Sequence, residues 1–281
     1  MDTRPVTTPE IIRRKNSGEK ITALTAYDYT FAKLLDATDL DIILVGDSLG
    51  MVFLGQENTL SVTMDNMVYH TRAVKQGVKR ALVVSDMPFM SYQVSVEQAL
   101  KNAGRLIQDG GASGVKLEGG ALMAERVRAI SQAGIPVMGH IGLTPQSIHQ
   151  FGGYKVQGKN YLDSKKIKQD AHDLQSAGVF ALVLEGIPSG LAEEITAELK
   201  IPTIGIGAGA KCDGQILVLH DLLGLNQDFV PKFVKQYAQM ANSLKDSVAK
   251  YIQEVKTESF PSQEHIYHSK QGKLKQVNDG N

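Results

Sequence analysis

The chain is 281 residues long, which suits one large barrel or two small domains and allows roughly three quarters of the unfolded surface to be buried. Lys plus Arg is 30 and Asp plus Glu is 30, so the positive excess that a general nucleic-acid or anionic-membrane binder needs is missing. The single cysteine, Cys212, rules out an internal disulfide framework and fits a reducing compartment, and hydrophobic residues at 42%, spread along the chain, argue against disorder.

The segment from Met1 to Lys20 carries Arg4, Arg13, Arg14 and Lys15 but lacks the apolar core of a secretory signal. Thr8–Pro9 predicts the start of an N-terminal helix, because proline suits a first helical position. Short apolar runs then recur at 21–26, 41–45, 81–85, 114–117, 136–139, 180–184, 202–206 and, less regularly, 215–219. Most lack a polar residue at alternate positions, as strands of a parallel sheet buried on both faces do. Between the runs the pattern turns helical. Ser95 and Gln98 read as a capping box ahead of a stripe of Val96, Ala99, Leu100, Ala103 and Ile107. Pro231 is expected to open a last helix with the stripe Phe233, Val234, Tyr237, Ala241, Leu244, Val248 and Ile252.

About eight strand–helix units in this length predict an α/β fold, a (β/α)8 TIM barrel with an extra N-terminal helix. A doubly wound open sheet is the alternative, because periodicity does not report closure. No Ser/Pro linker divides the chain. Residues 1–261 are therefore expected to form one barrel domain, and 262–281 a polar tail whose last dozen residues fray. No apolar run reaches the ~20 residues that a bilayer span needs, so a cytoplasmic protein, off the membrane, is expected.

The strand runs end in polar residues. Asp47 and Ser48 follow the second run and Asp86 the third; Lys116 and Glu118 close the fourth, His140 the fifth and Glu185 the sixth. In a barrel these ends share the C-terminal rim, where active sites of this fold lie. One Asp past a strand is ordinarily a turn former or a helix cap, and Asp28, Asp109 and Asp221 are read that way. Local roles explain a recurrence at successive strands less well. Carboxylates crowded together stay ionised only around a cation. Hard oxygen donors with no Cys and at most one His favour Mg2+ over Zn2+, and Asp47, Asp86 and Glu118 suit it. Lys116 lies two residues before Glu118, so both point to one face of a strand. It could neutralise a substrate carboxylate or form a Schiff base, and the residues alone leave both open.

Residues 141–160 are long for a strand-to-helix connection, and their glycines suit a mobile loop over the mouth. Gly205, Gly207 and Gly209 imitate a dinucleotide fingerprint but lack its third glycine spacing and lie near the end of the chain. A tight turn, or backbone close to a ligand, is expected there instead.

Several ordered blocks carry more information than any one residue. They include Thr25-Ala26-Tyr27-Asp28, Gly46-Asp47-Ser48-Leu49-Gly50, Asp86-Met87-Pro88-Phe89, Lys116-Leu117-Glu118-Gly119-Gly120, Gly139-His140-Ile141-Gly142-Leu143-Thr144-Pro145-Gln146 and Asp213-Gly214-Gln215. In these the chain resembles the ketopantoate hydroxymethyltransferase family over nearly its whole length. The resemblance implies a (β/α)8 barrel, Mg2+ dependence, 5,10-methylenetetrahydrofolate as co-substrate and self-association, typically as a homodecamer. It implies a metal site at Asp47, Asp86 and Glu118, the last directly or through water. It implies contacts of Asp47, Ser48, Asp86 and Lys116 with an oxo acid, Glu185 as proton acceptor, and His140 as a mouth residue without an assigned role. Gly186 stands where the family often has Cys or another small residue, and the chain runs past the family's usual end near His265 and His268.

The implied substrate, 3-methyl-2-oxobutanoate, would chelate Mg2+ through carboxylate and keto oxygens and lose the C3 proton to a base. A metal-bound carboxylate has its basicity suppressed, which leaves Glu185 for that role. With the keto oxygen on the metal, an imine competes with the chelate, so Lys116 is then expected to be a charge partner. Two rival readings share parts of this site. A lyase of the phosphoenolpyruvate mutase or isocitrate lyase kind needs a catalytic loop cysteine unlike Cys212. A class I aldolase would use Lys116 covalently.

Overall fold

The apolar runs become eight short strands whose hydrogen bonding carries the sheet round onto itself. The computed structural model describes residues 4–227 and 230–268. The strands are β1 (Ile21–Thr25), β2 (Ile42–Val45), β3 (Leu82–Asp86), β4 (Gly114–Glu118), β5 (Val137–Gly142), β6 (Ala181–Glu185), β7 (Thr203–Ile206) and β8 (Gly214–Leu217). They pair in chain order, all parallel, and β8 pairs with β1, which closes the barrel and removes the open-sheet alternative. Strands such as β2 and β3 are buried at every position, as a sheet with a filled interior and helices outside requires.

The helices alternate with the strands. They are α1 (Thr8–Ser17), α2 (Tyr29–Asp36), α3 (Leu49–Val52), α4 (Met64–Gly77), α5 (Val96–Gln108) and α6 (Ala124–Gln132). After β5 come α7 (Ile148–Phe151), α8 (Tyr161–Ala177), α9 (Ser189–Glu198), α10 (Leu219–Leu222) and α11 (Met240–Lys256). Polar caps start several of them: Asp28 accepts from Phe31 N at 3.0 Å, and Asn160 accepts from Asp163 N at 2.9 Å. Thr63 and Asn66 form a complete capping box on α4. Residues 207–213 pass from β7 to β8 without a helix, so eight strands are not matched by eight strand–helix units.

Three sequence expectations change in detail. The Ser95 box is half formed, because Gln98 N donates to Ser95 Oγ at 3.1 Å while the Gln98 amide turns to the Met90 carbonyl at 3.4 Å. Asn102 donates to the Ser91 carbonyl at 2.7 Å, and the buried face of α5 becomes Ala99, Asn102, Ala103 and Leu106, with Leu100 left exposed. Pro231 does not open the last helix. Tyr237 N and Met240 N donate to the carbonyls of Leu222 and Leu223 at 2.8 and 2.9 Å, so these tertiary bonds replace intrahelical ones and α11 begins only at Met240. Of its expected stripe only Ala241 is buried, while Leu244, Val248 and Ile252 lie exposed. The tail forms a 3-10 turn at Gln263–His265; the fraying expected of its last dozen residues concerns positions outside the described ones.

The core explains why only one end of the barrel is open. The lower interior joins Ile21, Ile42, Leu82, Met138 and Ile204 to Val6 and Ile11, so the N-terminal helix plugs the barrel from below. Beneath it Arg14 Nη1 meets Asp41 Oδ1 at 2.6 Å, and Asp41 Oδ2 accepts from Thr22 N and Thr22 Oγ1, both at 2.9 Å. A larger core lies between strands and outer helices. Ile11→Ala is expected to cost about 3 kcal/mol by opening a cavity in the plug. Denaturant unfolding should show that loss, while ligand binding at the far end of the barrel stays unchanged.

Candidate active site

The strand register decides which polar ends meet. Asp86 on β3 pairs with Lys116 on β4, and Glu118 on β4 pairs with His140 on β5. Because side chains alternate along a strand, Lys116 and Glu118 both turn inward. Asp47, Ser48, Asp86, Lys116, Glu118, His140 and Glu185, every residue singled out from sequence, line one cavity of about 1140 Å3 at the C-terminal end.

The floor of this cavity is a chain of charge contacts. Lys116 Nζ lies 2.9 Å from Asp86 Oδ1 and 3.3 Å from His140 Nδ1. His140 Nδ1 is also 3.4 Å from Glu118 Oε1, and its Nε2 is 3.2 Å from Glu185 Oε2, off the line of a good hydrogen bond. The imidazole therefore stands between two carboxylates from β4 and β6. Asp47 N donates to Asp86 Oδ2 at 3.0 Å, and Ser48 Oγ shares a hydrogen bond with Tyr27 Oη at 2.8 Å. Asp47, Asp86, Lys116, Glu118 and His140 are all buried, whereas Glu185 keeps 14% of its side chain exposed toward the mouth.

Such crowding shifts protonation. Burial, then the charges of Asp86 and Glu118, raises Asp47 well above the carboxylate range. Burial raises Asp86 too, although Lys116 opposes it. Glu118 is held low despite its burial, by the hydrogen bond and charge of His140 and by Lys116. Burial would lower Lys116, but Asp86, Glu118 and Asp47 together raise it, so it is an ammonium. Burial and Lys116 both oppose charge on His140, yet its contacts with Glu118 and Glu185 push it up to about 9. Ionising all four acids would set them against one ammonium and one imidazolium, an excess of negative charge that a divalent cation would relieve.

The donor set fits one such ion in a particular way. Among the described residues no three His, Cys, Asp or Glu side chains form a ready cage. Magnesium needs none, since it commonly takes one or two carboxylates and completes its shell with water and substrate oxygens. Asp47 Oδ2 and Glu118 Oε2 already accept hydrogen bonds from Gln146, and Glu118 Oε1 lies 3.4 Å from His140 Nδ1.

Sequence reasoning passed over three residues here. Gln146 belongs to the stretch expected to be a loop over the mouth, but β5 runs on to Gly142 and Gln146 is buried, 5% exposed, behind Asp47 and Glu118. Tyr92 bonds to it from the β3–α5 connection. Farther along, Tyr154 lines the cavity and its hydroxyl donates to Met51 Sδ at 3.3 Å. A glutamine six residues beyond the rim histidine was a usable signal; Tyr92 and Tyr154 carried none, since nothing in their local sequence marks an inward hydroxyl. Gly205 lies within β7, and Gly207 turns the chain out of the strand toward β8 rather than into the helix that a strand-to-helix turn would give: Gly207 has φ +60°, and a Cβ there would come within 2.9 Å of the Phe233 ring. Asp28 and Asp109 cap helices, while Asp221 accepts from Asn226 at 3.4 Å and also lines the cavity.

Residues 5–263 match the family model described as ketopantoate hydroxymethyltransferase. The chain is 58% identical over 264 residues to a 3-methyl-2-oxobutanoate hydroxymethyltransferase of Pelobacter propionicus, covering 94% of this chain and 98% of that one. It is 56% identical over 263 residues to the enzyme of the same name from Clostridioides difficile, covering 94% and 96%. Among solved structures, a 2,3-dimethylmalate lyase of the PEP mutase/isocitrate lyase superfamily superposes with a TM-score of 0.59 at 14% identity, over 95% of this chain and 91% of that one. A phosphonopyruvate hydrolase complexed with oxalate and Mg2+ gives 0.59 at 12% identity, over 92% and 93%. At such identities these two share the barrel fold.

The raised Asp47 has a thermodynamic consequence. A carboxyl that holds its proton more tightly folded than unfolded costs stability as pH rises above about 4, the unfolded value. Asp47→Asn is therefore expected to raise the melting temperature of the metal-free protein near pH 8 by a few degrees. The same variant should lose its response to added Mg2+. A lower melting temperature than native would contradict the electrostatic account.

Proposed function

This chain belongs to the ketopantoate hydroxymethyltransferase family, and on that premise we propose how its mouth transfers a hydroxymethyl group from 5,10-methylenetetrahydrofolate to 3-methyl-2-oxobutanoate, giving 2-dehydropantoate at the entry to pantothenate biosynthesis. The observation that carries the proposal is the contact chain Asp86–Lys116–His140–Glu185, which puts a fixed cation and a carboxylate with access to the mouth on one floor.

Asp47 and Asp86 hold Mg2+, with Glu118 directly or through water, and the ion supplies Lewis-acid stabilisation of the charge that develops when C3 is deprotonated. Lys116 neutralises the oxo-acid carboxylate. Its raised pKa makes it a charge partner and a poor amine nucleophile, which disfavours a Schiff base. Ser48, fastened by Tyr27, offers the substrate a hydroxyl at the mouth. Glu185 takes the C3 proton. It comes from β6, apart from the proposed metal carboxylates at the ends of β2, β3 and β4, so a metal held there would not take up its lone pairs. His140 aims it: the imidazolium, with Nδ1 3.4 Å from Glu118 Oε1, stands 3.2 Å from Glu185 Oε2. Once deprotonated, C3 attacks the methylene carbon of the folate iminium, whose C=N electrons return to nitrogen; water then supplies the hydroxyl oxygen as the remaining C–N bond breaks, and a proton goes to that nitrogen to release tetrahydrofolate. A five-carbon acid fills little of a cavity of about 1140 Å3, and the remainder gives the pterin its place.

The lyase reading lacks its nucleophile. Cys212 is buried, and its carbonyl accepts from Lys20 Nζ at 2.7 Å beside the start of β1, the closed end of the barrel. The exposed apolar face of α11 supports self-association, in keeping with a homodecamer. No helix of the described residues is long and apolar enough to cross a membrane, in keeping with a cytoplasmic enzyme whose barrel domain spans residues 1–261.

Glu185→Gln should keep oxo-acid binding yet slow exchange of the C3 proton with solvent deuterium by roughly 100- to 10,000-fold, read by NMR. Exchange at the native rate removes Glu185 from this role. Borohydride should trap no substrate on native Lys116; a covalent adduct found by mass spectrometry would restore the imine.

A further inference from the structure

Gln146 lies in the 3-10 turn Pro145–Ser147, just beyond β5, and touches neither the mouth's solvent nor the reacting carbon's expected base. Its bonds run instead to the carboxylates. Gln146 Nε2 donates to Asp47 Oδ2 at 2.8 Å and to the Met87 carbonyl at 3.0 Å. Its backbone N donates to Glu118 Oε2 at 3.0 Å. One residue therefore grips acids from β2 and β4, two strands that the sheet keeps apart by the width of β3.

The orientation of the amide is decided by its neighbours. The Met87 carbonyl can only accept, so it requires the NH2 side. On the other side, Tyr92 Oη accepts from Glu118 N at 3.1 Å and donates to Gln146 Oε1 at 2.7 Å, a shorter contact than the 3.1 Å to the Glu118 carbonyl. Gln93 Nε2 donates to the same Oε1 at 3.3 Å. With two donors on Oε1 and a carbonyl on Nε2, the amide cannot flip without losing several buried bonds. It therefore always offers Asp47 a donor.

We propose that Gln146, oriented by Tyr92, is the positioning residue of the cation site: it sets the separation of Asp47 and Glu118 and fixes the orientation of both carboxylates around a hard divalent cation. This rests on the reading of those carboxylates as metal ligands. Hydrogen bonds behind a metal's ligands fix ligand geometry, and their loss typically weakens metal binding by about 10- to 100-fold.

The test measures binding of Mn2+ alone to the full chain, by electron paramagnetic resonance of the free ion and by calorimetry, with no oxo acid or folate present. Gln146→Met keeps the length and removes the donor side chain; its Mn2+ dissociation constant should rise about 10- to 100-fold. Tyr92→Phe keeps the ring packing and removes only the hydroxyl, so it reads the same relay even if the first variant folds poorly. A rise of roughly 2- to 10-fold is expected for it. Because both act through one amide, the double variant should lose less than the product of the two separate factors. Native affinity in both single variants, or fully multiplicative losses, overturns the relay while the metal reading stands. Failure of the native protein to bind Mn2+ at all removes the metal reading itself, and this proposal with it.

Discussion

The Lys116 ammonium, 2.9 Å from Asp86 and 3.3 Å from the His140 ring, is what allows acids from three strands to share the floor of one barrel. Buried carboxylates without a cation would be driven to take up protons, and Asp47 and Asp86 are pushed in that direction even with Lys116 present. The lysine alone does not satisfy the cluster. On the proposed reading, a divalent ion at the mouth would relieve the charge that the lysine leaves uncompensated, and the lysine would receive an anionic substrate.

The rest of the barrel serves this concentration of charge. The N-terminal helix closes the lower end with apolar side chains and with the Arg14–Asp41 pair. The interior strands can then be apolar for most of their length and polar only where they emerge. Rigid strands hold the acids, and the connections supply what the strands lack: a hydroxyl from Tyr92, an amide from Gln146, an aromatic wall from Tyr154. Loops tolerate such additions because their backbone is not committed to the sheet.

The second half of the chain departs from simple alternation for traceable reasons. The passage from β7 to β8 has no helix, and the segment before α11 spends its backbone donors on Leu222 and Leu223. A helix placed by such anchors need not lay its apolar face on its own barrel, and Leu244, Val248 and Ile252 remain in solvent. Exposed apolar patches commonly mark interaction surfaces, and the proposed self-association would cover this one.

How much of this was legible before folding depends on the range of the interaction that decides each feature. Apolar runs closed by Asp47, Asp86, Glu118, His140 and Glu185 announced both a parallel sheet and a polar rim, because burial on two faces and the alternation of side chains are local properties of a strand. Caps at Asp28 and Asn160 are local as well. Closure of the sheet, the pairing of Asp86 with Lys116 and of Glu118 with His140, and the inward turn of Gln146 are not local. Register is set by the packing of whole strands against their neighbours, and a one-residue slip would have turned the same side chains outward. Composition and spacing thus determined which chemical groups reach the open end of the barrel; only the folded sheet decided which of them touch, since contact between strands far apart in sequence is a property of the closed barrel as a whole.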